Sequence, residues 1–235
     1  MRLIILSISN YKEKDGIVTA LGENESISFL ARGIFDPKNK NAALNNPLCM
    51  IDAELVYKNS KYPNLESYAL VSSPFLLKLD FKRITAMQVL LEATLKLVIE
   101  EERFYLYEPL KEALVALKSG IDPNSVVLIY LGKVLKVNGY TFSINECNNC
   151  GSKKDIVAFS FFDGGFICKD CLDETIKCDL NSHQMLLMRE IFGNQDYKNL
   201  KELDEEDTAV ILSKFFEFIS HSFDVNMKSF DLFLK

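Results

Sequence analysis

The chain contains no tryptophan and only two histidines among its 235 residues, so imidazole groups for catalysis or metal binding are scarce. It also lacks an apolar run long enough to span a membrane. The apolar opening, residues 1–6, is too short for a signal peptide and is followed by polar residues. These absences predict a cytoplasmic protein, in which thiols stay reduced and remain available to a metal.

A surplus of positive charge is missing as well. Lysine and arginine number 27 against 33 acidic residues, which gives a formal net charge of −6. Proteins that bind phosphate groups usually carry an excess of lysine and arginine. Any contact with nucleic acid must therefore come from a local basic patch on an otherwise acidic surface.

Catalytic motifs are also absent from the sequence. There is no G-x-x-x-x-G-K-[ST] phosphate-binding loop, and the glycine pair at 164–165 belongs to a predicted turn. His183 and His221 have no acid or nucleophile beside them in a motif that we recognise, and we interpret both as ordinary helical residues. We therefore predict that the chain is not an enzyme.

Against this background, two C-x-x-C pairs stand out. Cys147 and Cys150 form the first pair and Cys168 and Cys171 the second, with seventeen residues between them. This spacing is typical of a four-cysteine zinc site, in which each pair makes a tight turn that aims two sulfurs at one point. Because all four ligands come from the protein, the predicted Zn²⁺, one per chain, is structural and leaves no open position for a substrate.

Three alternatives compete with zinc at these cysteines. Two disulfides would need an oxidising compartment, and a redox-active C-x-x-C normally comes alone. An iron–sulfur cluster uses the same ligands, although the ribbon-like spacing favours zinc. We interpret the two remaining cysteines, Cys49 and Cys178, as buried free thiols. Cys178 is close enough to the second pair in sequence to replace a ligand.

The pattern of apolar residues divides the chain into a β part and an α part. Five short strands are predicted near 2–9, 17–21, 26–32, 48–57 and 67–71, which suggest a small barrel of the OB-fold type, or else a sandwich. After Pro74 the apolar spacing changes to threes and fours. This spacing predicts helices near 80–100, 105–117, 122–137, 181–191 and 207–222. It also predicts a terminal segment, 227–234, that packs onto the core.

The predicted fold is therefore an α+β protein of more than one domain. A five-stranded OB-fold barrel is assigned to residues 1–78, and an α-helical domain to residues 79–235. A zinc ribbon is inserted into the helical domain at about 141–178, with two short strands near 159–162 and 165–167.

Several short segments agree, in order and separation, with one known family. They are Tyr-Lys-Glu-Lys-Asp at 11–15, Ala-Arg-Gly at 31–33, the segment 135–140 ahead of the first cysteine pair, the segment 159–168, and Met-Lys-Ser-Phe at 227–230. Together with the four cysteines they make the chain resemble the RecO family of bacterial recombination mediators over nearly its whole length.

The resemblance implies a cytoplasmic, nucleoid-associated protein of RecF-pathway DNA repair. Such a protein binds single- and double-stranded DNA, promotes annealing of complementary strands, and loads recombinase together with RecR on DNA coated by single-strand-binding protein. It also binds the carboxy-terminal tail of that coating protein. A tail site needs an apolar cleft with a basic residue for the terminal carboxylate, for which Lys133 and Lys136 are candidates.

A DNA site is predicted at the turns of the barrel, where basic residues could converge on a phosphate track. These residues are Lys12, Lys14, Arg32, Lys38 and Lys40. Tyr11 and Phe35 could stack on bases, or else Phe35 belongs to the core and the charges are scattered. The family barrel is expected to be clearly basic, whereas this one is nearly balanced in charge. An alternative function is therefore a zinc-stabilised protein-interaction adaptor with little intrinsic DNA binding.

Overall fold

The computed structural model describes residues 1–57, 61–74, 80–194, 197 and 204–235. The strands are β1 Arg2–Asn10, β2 Gly16–Gly22, β3 Ser26–Ala31, β4 Met50–Val56, β5 Asn64–Ser72, β6 Ile156–Ser160 and β7 Gly165–Cys168. The α-helices are α1 Phe81–Leu97, α2 Tyr107–Lys118, α3 Pro123–Val137, α4 Ser182–Asn194, α5 Glu205–Ser222 and α6 Lys228–Phe233. Two 3₁₀ helices, Lys40–Leu44 and Glu100–Leu106, lie in connections.

The first five strands close into a barrel in the order β1-β2-β3-β5-β4, with β4 returning to pair with β1. Neighbouring strands run antiparallel except β3 and β5, which meet in parallel at Leu30 and Asn64. Closure without a free edge distinguishes a barrel from a sandwich. The predicted OB-type barrel is therefore confirmed, and the sandwich alternative is wrong.

Strand β1 is buried on both of its faces. Successive side chains on a strand point to opposite sides, and here Leu3 and Ile5 lie in the barrel interior. Ile4 and Leu6 point the other way, into the core of the helices. Met50 on β4 also belongs to that second core. The helices thus pack directly on the outer wall of the barrel.

Helices α1, α3, α4 and α5 each begin after a residue whose side chain accepts a free backbone N–H group. Asp122 accepts the Ser125 N–H at the start of α3, and Pro123 occupies the first turn, as the sequence predicted. Asp204 caps α5 in the same way. For that reason α5 begins at Glu205, two residues earlier than we predicted from sequence. Within the described residues, no helix combines the length and apolar character needed to cross a membrane.

Helix α3 is the centre of the helical part. Its residues from Pro123 to Gly132 are all buried, as expected for a helix that is apolar on every side. The Tyr130 hydroxyl lies 2.6 Å from the Thr94 hydroxyl on α1, which bonds to the Leu90 carbonyl. Burial raises the pKa of Tyr130 well above its ordinary value. This polar pair fixes α3 against α1 inside an apolar core.

The short sheet β6–β7 packs on the helices through aromatic rings. Phe161 stacks on Phe215 of α5 with ring centroids 5.2 Å apart, and Phe142 makes an edge contact with Phe161 at 5.4 Å. Phe161 lies just after β6, which ends at Ser160. The predicted strand at 159–162 was therefore placed too late, because Phe161 turns away from the sheet toward the helical core.

The predicted boundary between residues 78 and 79 lies outside the described residues. The described strands of the barrel end at Ser72, and α1 begins at Phe81. Sheet β6–β7 and the cysteine pairs lie within 141–178. The division into domains 1–78 and 79–235, with an insertion at about 141–178, remains a prediction.

Candidate metal centre and nucleic-acid interface

The structure brings four cysteine sulfurs together at the end of the short sheet. The Sγ atoms of Cys147, Cys150, Cys168 and Cys171 all lie within 4.8 Å of one another, and those of Cys150 and Cys168 are 3.7 Å apart. Four sulfurs at 2.3 Å from a tetrahedral zinc ion would be separated by about 3.8 Å. The observed cluster fits an ion of that size and geometry.

Backbone hydrogen bonds shape the two cysteine turns. The Gly151 N–H donates to the Cys147 carbonyl at 2.8 Å, and the Cys171 N–H donates to the Cys168 carbonyl at 3.1 Å. Gly151 has φ +73°, a conformation that glycine adopts without a steric cost. Each C-x-x-C pair therefore forms a closed turn that directs two sulfurs toward the other pair.

The thiols of the cluster differ in acidity. Burial raises the pKa of Cys147, but backbone N–H groups of Cys168, Cys150 and Asn149 outweigh that effect and lower it to about 6. Hydrogen bonds with the thiols of Cys150 and Cys168 raise the pKa of Cys171 to about 12. The thiolate form of Cys147 is thus stabilised, whereas deprotonation of Cys171 beside it is disfavoured. A divalent cation would remove that opposition.

The other two cysteines lie outside the four-sulfur cluster. Cys49 is buried in the barrel core, and its Sγ lies 3.3 Å from the Ser73 hydroxyl. Burial raises the pKa of Cys49, which makes this thiol unreactive. Cys178 is an exposed free thiol. The prediction that Cys178 is buried is therefore wrong, because the segment that follows the second pair runs over the surface.

Gly165 permits a close backbone approach beside the metal cluster. Its φ is +142°, and a Cβ atom there would lie 2.3 Å from the Ser143 carbonyl oxygen.

We expect Gly165→Ala to destabilise the protein by about 2–4 kcal/mol, since neither backbone segment can move freely. Thermal unfolding followed by circular dichroism measures the loss. Gly120→Ala is the control, because its φ is +89° but nothing lies within 4 Å. Equal losses would contradict the role of close approach.

The predicted DNA residues lie at one end of the barrel. The segment 11–15 joins β1 to β2, and the segment 32–40 follows β3. The Phe35 N–H donates to the Lys14 carbonyl at 3.1 Å, and the Gly33 N–H donates to the Asp15 carboxylate at 2.8 Å. These bonds hold the two segments side by side. We call them together the loop end of the barrel.

All five predicted basic side chains at the loop end are exposed: Lys12, Lys14, Arg32, Lys38 and Lys40. Lys14 pairs with Asp36 at 2.9 Å. Among the described residues, none of the other four has a carboxylate partner within 4.0 Å. Five cations less three carboxylates, those of residues 13, 15 and 36, leave the loop end with a charge of +2.

The two candidate stacking residues differ in position. Tyr11 is 51% exposed, and the Lys12 Nζ lies 5.5 Å from its ring centroid. Phe35 packs against the barrel core and is only partly exposed. Tyr11 is thus free to stack on a base, whereas Phe35 offers only part of its ring. The alternative that Phe35 is a core residue describes its packing better.

A cavity of about 280 Å³ lies between the end of α3, the segment 140–145 and the end of α4. Its lining is mixed: polar residues, Lys136, Thr141 and Asn145, lie beside apolar and aromatic ones, namely Leu135, Tyr140, Phe142, Ile144 and Phe192. Lys136 is exposed and, among the described residues, has no carboxylate partner. Lys133 instead pairs with Glu112 at 2.7 Å. Of the two candidate tail residues, Lys136 alone lines this cavity, and its charge has no carboxylate partner among the described residues.

The structure also shows contacts of the two histidines that the sequence did not indicate. His183 Nδ1 lies 2.5 Å from a carboxylate oxygen of Asp207, which joins the starts of α4 and α5. The His221 ring packs against Phe162 at 5.2 Å. Within the described residues, neither histidine is hydrogen-bonded to a nucleophile. The partner of His183 is 24 residues away in sequence, so no local motif could have indicated it.

Taken together, the fold and sites define a class of protein in which an OB-type barrel is joined to a helical bundle that carries a four-cysteine ribbon. Residues 78–229 match the family model described as "Recombination protein O C terminal". The chain therefore belongs to the RecO family, which confirms the resemblance found in the sequence.

Curated relatives named DNA repair protein RecO cover most of the chain. The one from Bacillus pumilus is 28% identical over 205 residues, which are 86% of this chain and 79% of the relative. The one from Bacillus subtilis is 30% identical over 174 residues, 73% of this chain and 68% of the relative. The one from Halalkalibacterium halodurans is 26% identical over 199 residues, which are 84% of this chain and 78% of the relative.

Proposed function

We propose that this chain is a DNA repair protein that binds DNA at the loop end of its barrel and promotes annealing of complementary strands. The observation that carries the proposal is that Lys12, Arg32, Lys38 and Lys40, on two segments that lie side by side, are exposed and have no carboxylate partner among the described residues. Cations placed this way neutralise phosphates without reading bases. Binding is then tolerant of sequence, as annealing of arbitrary complementary strands requires.

Annealing needs no bond to be made or broken, so it requires no catalytic residue. Two strands repel each other through their phosphates, and a protein that neutralises part of that charge lets them meet. The loop end supplies the cations, and Tyr11 supplies an exposed ring for a displaced base. In this proposal the protein works in the cytoplasm, at the nucleoid.

The four cysteines are proposed to hold one structural Zn²⁺. Four thiolates with tetrahedral spacing suit zinc, which closes its coordination shell with protein ligands alone. Zinc supplies no chemistry to annealing; it holds Cys147 and Cys168, and thereby the ribbon, in place. The residues around it then form a fixed surface on the helical part.

The carboxy-terminal tail of single-strand-binding protein is proposed to bind in the cavity beside Lys136. Apolar side chains such as Phe142 and Phe192 would receive an apolar end residue, and Lys136 would meet the terminal carboxylate. RecR is the proposed partner for recombinase loading. Tail binding at the helical part leaves the loop end of the barrel free for DNA.

An annealing assay separates this proposal from the adaptor alternative. Two complementary labelled oligonucleotides are mixed with the purified protein, and energy transfer reports duplex formation. Faster annealing and binding at micromolar concentration or tighter, by the protein alone, support the proposal. Binding that appears only when RecR is added would favour the adaptor.

Asp36→Asn is expected to strengthen binding of single-stranded DNA about threefold to tenfold at low salt. The carboxylate neutralises Lys14, whereas an asparagine keeps the oxygen that accepts the Lys38 N–H. One more free cation should steepen the dependence of log affinity on log salt by about 0.7. Fluorescence anisotropy across a salt series measures both. Asp52→Asn, which frees Arg2 from a similar pair, is the control, and an equal gain there would count against the site.

A further inference from the structure

The cavity beside Lys136 has one wall made of residues 140–145, the segment that leads from α3 to the first cysteine pair. We propose that metal bound by the four cysteines positions this wall, so that the cavity takes its shape only in the metal-loaded protein. The inference rests on the proposed binding of a carboxy-terminal tail there and adds that the metal controls the shape of its site.

The middle of the wall is joined to β7 and to the residue just before it by two backbone hydrogen bonds. The Ser143 N–H donates to the Gly164 carbonyl at 2.9 Å, and the Ser143 carbonyl accepts the Phe166 N–H at 2.8 Å. Gly165 between them lacks the Cβ atom that would block this approach. The position of Ser143, and of Phe142 and Ile144 on either side, is therefore set by β7.

Strand β7 ends at one of the four cysteines, and the wall ends two residues before another. Cys168 is the last residue of β7, and Cys147 follows the wall by two residues. A further bond, from the Asn148 N–H to the Phe166 carbonyl at 2.7 Å, links the first cysteine turn to β7. An ion bound by both Cys147 and Cys168 would therefore hold the segment after the wall against the end of β7, while Ser143 holds the wall itself against the start of β7.

Without the ion, little backbone structure remains to hold this segment. Within the part of the chain that the structure describes, sheet β6–β7 has two strands, and a pair of strands depends on packing against other elements for its stability. In small cysteine sites the free energy of metal binding is also the free energy of folding. Among the described residues, two other polar contacts join the wall to the helices: the Tyr140 N–H donates to the Leu135 carbonyl at 2.9 Å, and the Arg189 Nε donates to the Ile144 carbonyl at 3.0 Å. These bonds hold the first residue of the wall and one carbonyl group, whereas the ion would hold Cys147, just beyond the other end of the wall.

Peptide binding with and without metal tests the inference. The probe is a fluorescent ten-residue peptide of aspartates that ends in phenylalanine with a free carboxylate, and the same peptide with an amidated end is the control. We expect removal of metal by a chelator to weaken binding at least about tenfold, and added Zn²⁺ to restore it. Equal affinity of the metal-free and metal-loaded protein would overturn the inference.

Hydrogen exchange tests whether the metal positions the wall even if no peptide binds. A metal-loaded protein that does not prefer the free carboxylate removes the proposed tail site, but not the role of the metal in positioning the wall. For that role, the amides of Ser143 and Phe166 should exchange at least about tenfold faster after metal removal. Barrel amides such as those of Val18 and Phe29 should not change. Unchanged exchange at Ser143, or equal acceleration in the barrel, overturns the inference.

Arg189→Met provides a second variant that leaves the cysteines intact. It removes the bond to the Ile144 carbonyl and the guanidinium that lies 5.1 Å from the Phe166 ring centroid. If the metal positions the wall, this variant binds the peptide within about threefold of the unaltered protein while it retains zinc. A loss as large as that on metal removal would assign the positioning to Arg189 instead.

Discussion

Metal analysis is expected to find one zinc ion per chain, and Cys147→Ser is expected to weaken its binding by on the order of a hundredfold or more. Structural zinc sites bind with about 10–16 kcal/mol, so each of four thiolates contributes roughly 3 kcal/mol. Cys147 has the thiol whose pKa is lowered, to about 6, and its turn is tied to β7 through Asn148. Its loss should both release zinc and loosen the ribbon.

Competition with a chromophoric chelator measures the zinc affinity, and elemental analysis after desalting gives the metal and its amount. Cys178→Ser is the matched control, because it removes an exposed thiol near the ribbon that is not in the cluster. It should retain zinc. Loss of zinc from Cys178→Ser would show that this cysteine serves as a ligand. Iron in place of zinc would favour the iron–sulfur alternative.

Charge reversal at the loop end is expected to weaken binding of single-stranded DNA by on the order of a hundredfold at low salt. The variant combines Arg32→Glu, Lys38→Glu and Lys40→Glu, all at exposed side chains without carboxylate partners among the described residues. Each lost phosphate contact should reduce the salt dependence of log affinity by about 0.7. Three lost contacts should therefore flatten the salt dependence by about 2.

Anisotropy of a labelled oligonucleotide over a salt series measures both quantities. A control with the same change in net charge reverses Lys118, Lys228 and Lys235, which are exposed on the helical part and, within the described ranges, also lack carboxylate partners. If general electrostatic attraction sufficed, both triple variants would weaken binding alike. That result would remove the loop end as the DNA site and leave the adaptor alternative.

Much of the fold could be predicted from sequence because it depends on local patterns. Alternation of apolar residues located the five barrel strands, and Asp122 with Pro123 marked the start of α3. The closed order of the barrel could not be derived in this way. It depends on pairings such as Leu3 with Ile51, nearly fifty residues apart, and the sequence left barrel and sandwich open. The number of short strands suggested a barrel, but strand number alone does not determine closure.

The sites show the same division between local and distant information. The spacing of the cysteines indicated their convergence, because each pair forms its turn locally. The pairing of Lys14 with Asp36 and of Lys133 with Glu112 joins residues more than twenty positions apart, so sequence gave no sign of which lysines are neutralised. Arg189 was missed for the same reason, since its partner Ile144 is 45 residues away.

The burial of strand β1 on both faces means that the barrel cannot be separated from the helices without exposing apolar surface. Leu3 and Ile5 belong to one core and Ile4 and Leu6 to the other, so a cut in the connection to α1 would leave a wall of aliphatic side chains facing water. Such a fragment would be prone to self-association. The barrel is therefore not expected to be stable when it is separated from the helices. Chimeras with other family members should exchange the barrel only together with the helical surface that covers it.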